Sequence, residues 1–450
     1  MRSRIILLAL IFGVWVGLKA LDEFVTGPEV LTLLAIACLM MLGHSIWLLI
    51  AQGHWQLKTR LHARKRLAQE TLASQMNVQL VDEKSSWTPF VDIFISAKNE
   101  SRVIEKTVRN FFAIDYENFY LWVIDDCSTD SMGAILDGLK DEFPRLQVLH
   151  RTPGCCPGKS AALNEALPLA KGEVVAVFDA DAYVAPDFFA VTLPVLEPEG
   201  IGAVQAQKKI YEYQSGFLVE CQSSEYALDT YFQMGRDLIG GAVELRGNGQ
   251  VLKRAALIDV GGWNNKSITD DLDLSMRLLV SNWDIRFCPS AYVFEEAVPS
   301  LKGLIRQRRR WAEGSIIRYL DYIFPLNSPT RLSLVERIDT LVFTVYFVVP
   351  ALILCEIVSE CAHLLMGIPT NGKLFGLISI AVLLITQMNM IVAIRMYRPQ
   401  FGLYKTILHS FEVNVYLYGH WVPVVIVSFC QILFGRKTST WHPTQHGQEA

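Results

Sequence analysis

Apolar positions along this chain follow two different patterns. Near both ends they form long runs, at residues 5–21, 30–51, 341–365, 374–394 and 413–434. A helix needs about 20 such residues to cross the hydrocarbon core of a bilayer. In the middle the apolar runs are short and alternate with amphipathic stretches. Residues 91–96, 121–124, 147–150 and 174–178 read as strands, and 100–112, 132–142 and 159–170 as helices. Strands that are apolar throughout, separated by helices, predict an α/β domain with a mainly parallel sheet.

The flanks of the long runs suggest an orientation. Arg2 and Arg4 precede the first run, Asp22 and Glu23 follow it, and Lys58, Arg60, Arg64, Lys65 and Arg66 follow the second. The positive-inside rule puts the N-terminus and the middle region on the cytoplasmic side. No small-residue cleavage site lies between the first two runs, so they read as a hairpin and not as a signal peptide. Arg395, Arg398 and Lys405 place the connector after the fourth run inside, and Arg436 and Lys437 do the same for the tail. The last run cannot cross once and keep both flanks inside. With Gly419, His420, Trp421 and Pro423 near its middle, it reads as re-entrant, a broken helix buried by protein. The predicted organisation is a transmembrane hairpin over 1–55, a cytosolic α/β domain over 56–335, further transmembrane helices over 336–436 and a cytosolic tail over 437–450.

Composition agrees with membrane insertion, at 51% hydrophobic and only 19% charged residues. The net charge of −4 implies no attraction to nucleic acid. Nine cysteines without a CxxC pair suggest reduced thiols, not a disulfide framework or a zinc site.

In a parallel sheet, ligands bind beyond the carboxyl ends of the strands. Three polar clusters stand there: Lys98-Asn99-Glu100, Asp125-Asp126 and Asp179-Ala180-Asp181. Two carboxylates one residue apart suit a hard cation, Mg²⁺ or Mn²⁺, whose shell is completed by phosphate and water. The stretch from Gly154 to Ser160 resembles a phosphate loop but is one residue short of the ATPase spacing, because Pro153 stands where the first glycine would be. Lys159 opening a helix can still face a diphosphate. Further on, Thr269-Asp270-Asp271 precedes a helical stretch, where acids are either dipole partners or a catalytic base. Gln307-Arg308-Arg309-Arg310-Trp311 combines guanidinium groups suited to a diphosphate with an indole suited to an acceptor.

In order and approximate spacing, these motifs resemble family 2 glycosyltransferases, in particular the membrane-integrated branch with cellulose, chitin and hyaluronan synthases. The resemblance spans about residues 90–325 and includes Arg246-Gly247-Asn248-Gly249 and Gly261-Gly262-Trp263; Asp270 stands where a glutamate is usual. It implies a GT-A fold and an inverting transfer from a UDP-sugar. Lys98, Asn99, Glu100, Asp125, Asp126, Lys159 and Asp179 would then bind the nucleotide sugar, and Asp179 and Asp181 the metal. Asp271 would be the general base. Asp270, Gln307, Arg308, Arg310 and Trp311 would serve diphosphate and acceptor.

The stretch 268–278 and the residues from Arg310 to Tyr322 resemble the cyanobacterial monoglucosyldiacylglycerol synthases more narrowly. That likeness implies UDP-glucose as donor, diacylglycerol as acceptor, membrane lipids as surroundings and no obligate protein partner. A polysaccharide synthase is the alternative. The C-terminal runs offer few polar linings for a sugar chain, chiefly Glu356, Glu360, Gln387 and Asn389, and no appended regulatory domain is expected. A non-catalytic scaffold or nucleotide sensor would show a degraded site, whereas every expected carboxylate is present.

Overall fold

A computed structural model of the protein describes residues 29–75, 87–211, 214–326, 332–366 and 372–435. One eight-stranded sheet runs β3 (Leu146–His150), β2 (Phe119–Asp125), β1 (Val91–Ala97), β4 (Val174–Phe178), β7 (Gln250–Lys253), β6 (Ile201–Ile210), β8 (Asp284–Glu295), β5 (Tyr183–Val184). The first four strands are mutually parallel. β7 is antiparallel to both β4 and β6, β6 and β8 are parallel, and β5 closes the edge antiparallel to β8.

Side chains alternate between two cores, one on each face. Ile93, Ile95, Val174, Ala176 and Phe178 enter one, and Phe94, Val175 and Val177 the other. This two-sided burial is why these strands read as continuous apolar runs. Register aligns their carboxyl ends, with Ala97 beside Asp125 and Asp125 beside His150. Chain order reverses between β1 and β4, the kind of position where open α/β sheets bind ligands.

Five short helices connect the strands of the first part: α2 (Ile104–Phe111), α3 (Met132–Glu142), α4 (Lys159–Ala166), α5 (Phe188–Leu196) and, after a longer α6 (Phe217–Leu238), α7 (Arg254–Asp259). α8 (Asp270–Val280) and α9 (Leu301–Leu326) follow. Two helices are shorter than their pattern suggests. The segment 100–103 is a turn before α2, and Pro168 turns the end of the 159–170 stretch into a 3₁₀ segment.

Among the described residues, four helices are long and apolar enough to cross a membrane: Leu31–Leu61 within α1 (Glu29–Gln75), Leu334–Val358 within α10 (Leu334–Met366), α11 (Gly372–Tyr397) and α12 (Leu403–Phe434). The 5–21 run and the 437–450 tail lie outside the described residues. The predicted break near Gly419 is absent, since α12 is one unbroken helix of 32 residues with Pro423 inside it. Neighbouring helices can support proline at that depth, so a proline there is weak grounds for a broken helix.

α6 joins the sheet domain to these helices. Gln52 of α1 donates to the Tyr231 carbonyl at 2.9 Å and accepts from the Tyr397 hydroxyl of α11 at 3.1 Å. Arg236, fully buried, donates through Nε to Asp339 of α10 at 2.8 Å, and Asp339 also pairs with His44 of α1 at 2.9 Å. Gln387 and Asn389 of α11 are bonded to Ser410 and Asn414 of α12 and to Ser45 of α1.

Candidate active site

The loops after β1 and β2 are tied to each other. Asn99 has φ +59°, and its Oδ1 accepts from the Thr129 N–H at 2.7 Å, while its own N–H donates to Ser128 Oγ at 2.9 Å. Lys98 and Glu100, both partly buried, flank it at the carboxyl edge. Asp126 is buried between two donors, the guanidinium of Arg151 and the Gly158 N–H at 2.9 Å. Asp125 differs from its expected role. Its two oxygens accept from the Ser128 N–H and pair with His150 Nδ1, each at 2.9 Å, so it braces the loop that presents Asp126.

A second group centres on Lys159, the first residue of α4. Its ammonium pairs with Asp179 Oδ1, just past β4, and donates to the Gly247 carbonyl at 2.8 Å. Burial opposes its charge, but Asp179, Asp270 and Asp271 outweigh burial and raise its pKa. Gly247 adopts φ +79°, and a Cβ there would stand 3.2 Å from Asp271 Oδ2, so glycine leaves room beside that carboxylate. Asp271 lies in the first turn of α8 and accepts the Leu272 N–H at 2.8 Å. Burial, reinforced by Asp270, raises its pKa to about 6 against the pull of Leu272, Lys159 and Arg246. A carboxylate near 6 is ionised at neutral pH and basic enough to take a hydroxyl proton.

Asp181 is buried. Its Oδ2 accepts the Glu296 N–H at 3.0 Å, and its carbonyl accepts from the Tyr211 hydroxyl at 2.9 Å. Asp179 and Asp181 both offer carboxylate oxygens, the donor type that hard divalent cations take. Among the described residues the pair belongs to no compact set of three ligating side chains. An ion here would take the rest of its shell from phosphate and water, as Mg²⁺ commonly does.

Helix α9 presents its arginines in three directions, as about 100° of rotation per residue requires. Arg310 faces the carboxylates: burial lowers its pKa against the attraction of Asp270, Asp271 and Asp179. Arg309 reaches Gln431 of α12 at 3.3 Å. Arg308 departs from its expected place at the diphosphate. It is fully buried and makes a bidentate pair with Glu225 of α6, at 2.9 and 2.8 Å. Gln307 accepts from the same guanidinium, which also lies 4.1 Å from the Trp311 ring centroid. Arg308 therefore holds Trp311 and Gln307 in place instead of facing a ligand. α9 approaches α8 closely at Gly314, where a Cβ would be 2.4 Å from the Thr269 side chain.

Several neighbours of the site are not marked by any local motif. Arg151 directly follows β3, at a carboxyl end where a cation opposite Asp126 was open to inference. Glu225 is 83 residues from Arg308, and nothing local marks the pairing. The same holds for Glu295 of β8, which accepts from Asn248 and pairs with Lys208 at 3.0 Å, while Asn248 in turn accepts the Asp179 N–H at 3.2 Å.

Residues 89–314 match the family model described as glycosyltransferase like family 2. The chain belongs to that family. Among its family 2 relatives is the β-monoglucosyldiacylglycerol synthase of Trichormus variabilis, 38% identical over 367 residues, which are 80% of this chain and 76% of the relative. The corresponding synthase of Synechocystis sp. is 45% identical over 236 residues, 52% of this chain and 49% of its own. A poly-β-1,6-N-acetyl-D-glucosamine synthase of Staphylococcus aureus is 29% identical over 231 residues, half of this chain and 54% of its own. In fold, this family 2 chain is similar to a mannosyltransferase from Pyrobaculum calidifontis solved with GDP-Man and Mn²⁺, with a TM-score of 0.52 at 17% identity over 88% of this chain and all of the other. The sheet is of the GT-A kind, and the protein is a glycosyltransferase.

Proposed function

We propose that this glycosyltransferase moves glucose from UDP-glucose to the free hydroxyl of 1,2-diacylglycerol, with inversion, giving β-monoglucosyldiacylglycerol. The observation that carries the chemistry is Asp271, a single carboxylate with its pKa at about 6, set beside Lys159, Asp179 and Arg310. One base suits one displacement. Asp271 takes the proton from the acceptor hydroxyl as its oxygen attacks the anomeric carbon from the face opposite UDP. Asp126, with Lys98, Asn99 and Glu100 around it, reads the base of the nucleotide. Lys159 and Arg310 hold the diphosphate and balance the charge that grows on it. A Mg²⁺ or Mn²⁺ ion held by Asp179 and Asp181 would add Lewis-acid stabilisation of that leaving group. Trp311, braced by Arg308, offers a flat face to the acceptor.

For the acceptor, support comes from the kinship with synthases of that name and from the membrane side of the chain. α9 leaves Leu301 57% and Ile305 40% exposed beside the exposed Lys302 and Arg306. Such a surface suits the interface, with apolar groups toward lipid and cations toward phosphate. Diacylglycerol presents its hydroxyl at that depth. A sugar chain would need a polar path, whereas Gln387 and Asn389 are occupied by bonds between helices. The basic flanks of the apolar runs support a multi-pass protein with the sheet domain on the cytoplasmic face.

The test is incubation of membranes containing the protein with labelled UDP-glucose and diacylglycerol, then phase separation. The expected product is one chloroform-soluble β-glucoside. Label recovered as long water-soluble chains would replace this reading with the polysaccharide one.

A further inference from the structure

Two thiols stand next to the nucleotide loops and play no part in the chemistry above. Cys127 follows Asp126 directly and is held at φ +59°. Cys155 lies in the connection between β3 and α4, whose ends, Arg151 and Gly158, both bind Asp126. The two sulfurs are 3.9 Å apart, and neither residue is fully buried. A carboxylate oxygen of Asp126 and both sulfurs all lie within 4.8 Å of one another, the group of three ligating side chains that closes up this tightly among the described residues. Spacing along the chain hid it, since the cysteines are 28 residues apart.

The separation speaks against one of three uses of the pair. A disulfide needs the sulfurs at about 2.05 Å, so both loops would have to move. Two thiolates on a tetrahedral Zn²⁺, each at about 2.3 Å, stand about 3.8 Å apart, close to the separation found. The third use, a plain contact between thiols, fits the distance as well, with Cys127 also donating to the Arg151 carbonyl at 3.3 Å; the metal reading differs in using a third ligating atom, an Asp126 oxygen within 4.8 Å of both sulfurs. Thiolate sulfur selects borderline and soft cations, whereas the oxygen pair Asp179 and Asp181 selects hard ones. The two positions therefore sort different metals.

We propose that Cys127, Cys155 and Asp126 form a site for a thiophilic divalent cation of the Zn²⁺ class, and that filling it closes the nucleotide pocket. Binding draws Asp126 toward the ion and sets a second positive charge against Arg151, so the loop that presents Asp126 rearranges. The two thiols give up their protons to solvent as the metal–sulfur bonds form. The closure, though not the binding, rests on the reading of Asp126 as a contact of the nucleotide base.

The test uses the full chain in lipid nanodiscs, with Mg²⁺ in excess to saturate the oxygen site and a thiol-free reductant present. Titrated Co²⁺ should give a thiolate-to-cobalt charge-transfer band at one equivalent, removed by Zn²⁺. C155S and C127S should each lose the band and weaken Zn²⁺ binding by more than the roughly 10–100-fold that loss of an outer-shell partner costs. C221S, altering a buried thiol elsewhere, should keep it. Zn²⁺ should raise the KM for UDP-glucose in the wild type and not in C155S, a loop variant expected to fold. Absence of the band in the wild type, its persistence in the C127S/C155S double variant, or a Cys127–Cys155 disulfide in the purified protein would each overturn the site. A normal band with unchanged donor KM overturns the closure alone. An Asp126→Asn variant that binds UDP normally overturns the reading of Asp126 instead.

Discussion

Replacing Asp271 with Asn removes the proton acceptor at nearly constant volume. General-base catalysis contributes about 10²–10⁴-fold, equivalent to roughly 2.7–5.4 kcal/mol of barrier at 1.36 kcal/mol per decade. Turnover should fall within that range. UDP affinity should change little, because Lys159 keeps its pairing with Asp179 and its bond to the Gly247 carbonyl. The structure adds a pH signature. Burial and Asp270 raise the pKa of Asp271 to about 6, and the ionised form is the base. About nine-tenths of it is ionised at pH 7 and slightly under one-tenth at pH 5, so wild-type kcat should fall about tenfold as pH drops through that interval. The Asn variant should lack this limb. The assay is UDP release and glucolipid formation measured in parallel from pH 5 to 8, with UDP binding measured separately. Loss of UDP binding in step with turnover, or a variant that keeps the acid limb, would refute the assignment and require another base.

Three further outcomes are expected. Asp181→Asn should keep the fold and lose most divalent-dependent turnover, because a site with few protein ligands loses one of them; full wild-type activity in EDTA would defeat the metal assignment. Arg308→Met should lower thermal stability, since breaking a buried pair typically costs about 3–5 kcal/mol, whereas Arg310→Met should lose turnover with its melting temperature kept; scanning calorimetry beside a rate assay separates the two, and the reverse pattern would restore Arg308 to the diphosphate. A cysteine label at position 446 should be reached from outside the cytosol and one at 405 only from within, because an unbroken α12 leaves no turn for re-entry; cytosolic labelling at both positions would bring back the re-entrant reading.

What could be read from the chain alone depended on how local each cause was. The strands β1 to β4 are buried on both faces, so their residues are apolar almost without interruption and their ends are marked by the carboxylates that follow. Asp125-Asp126, Asp179-Ala180-Asp181 and Thr269-Asp270-Asp271 stood out for the same reason, and the last two meet at Lys159 in the structure. The mixed half of the sheet left no comparable mark, because β6, β7 and β8 draw their order from pairing partners far along the chain. The same distance hid the clamp of Glu225 on Arg308. Three consecutive arginines look equivalent in one dimension, while on a helix they point to α6, to α12 and to the carboxylates. At α12 local residues misled, since Gly419 and Pro423 suggest a break that packing against α9 and α11 does not require.

The bonds from α6 to the membrane helices have a kinetic consequence. Arg236 to Asp339, Asp339 to His44, and Gln52 to Tyr231 are all buried, so the sheet domain is fastened directly to those helices. On the proposed function, the lipid must then arrive by diffusing sideways within one leaflet. Its supply is a two-dimensional quantity, the fraction of lipid molecules that are diacylglycerol. Doubling the water volume around a vesicle leaves that fraction unchanged, whereas doubling the inert lipid halves it. Below saturation the rate should follow mole percent in the bilayer, and apparent constants quoted per litre would vary with every change of detergent.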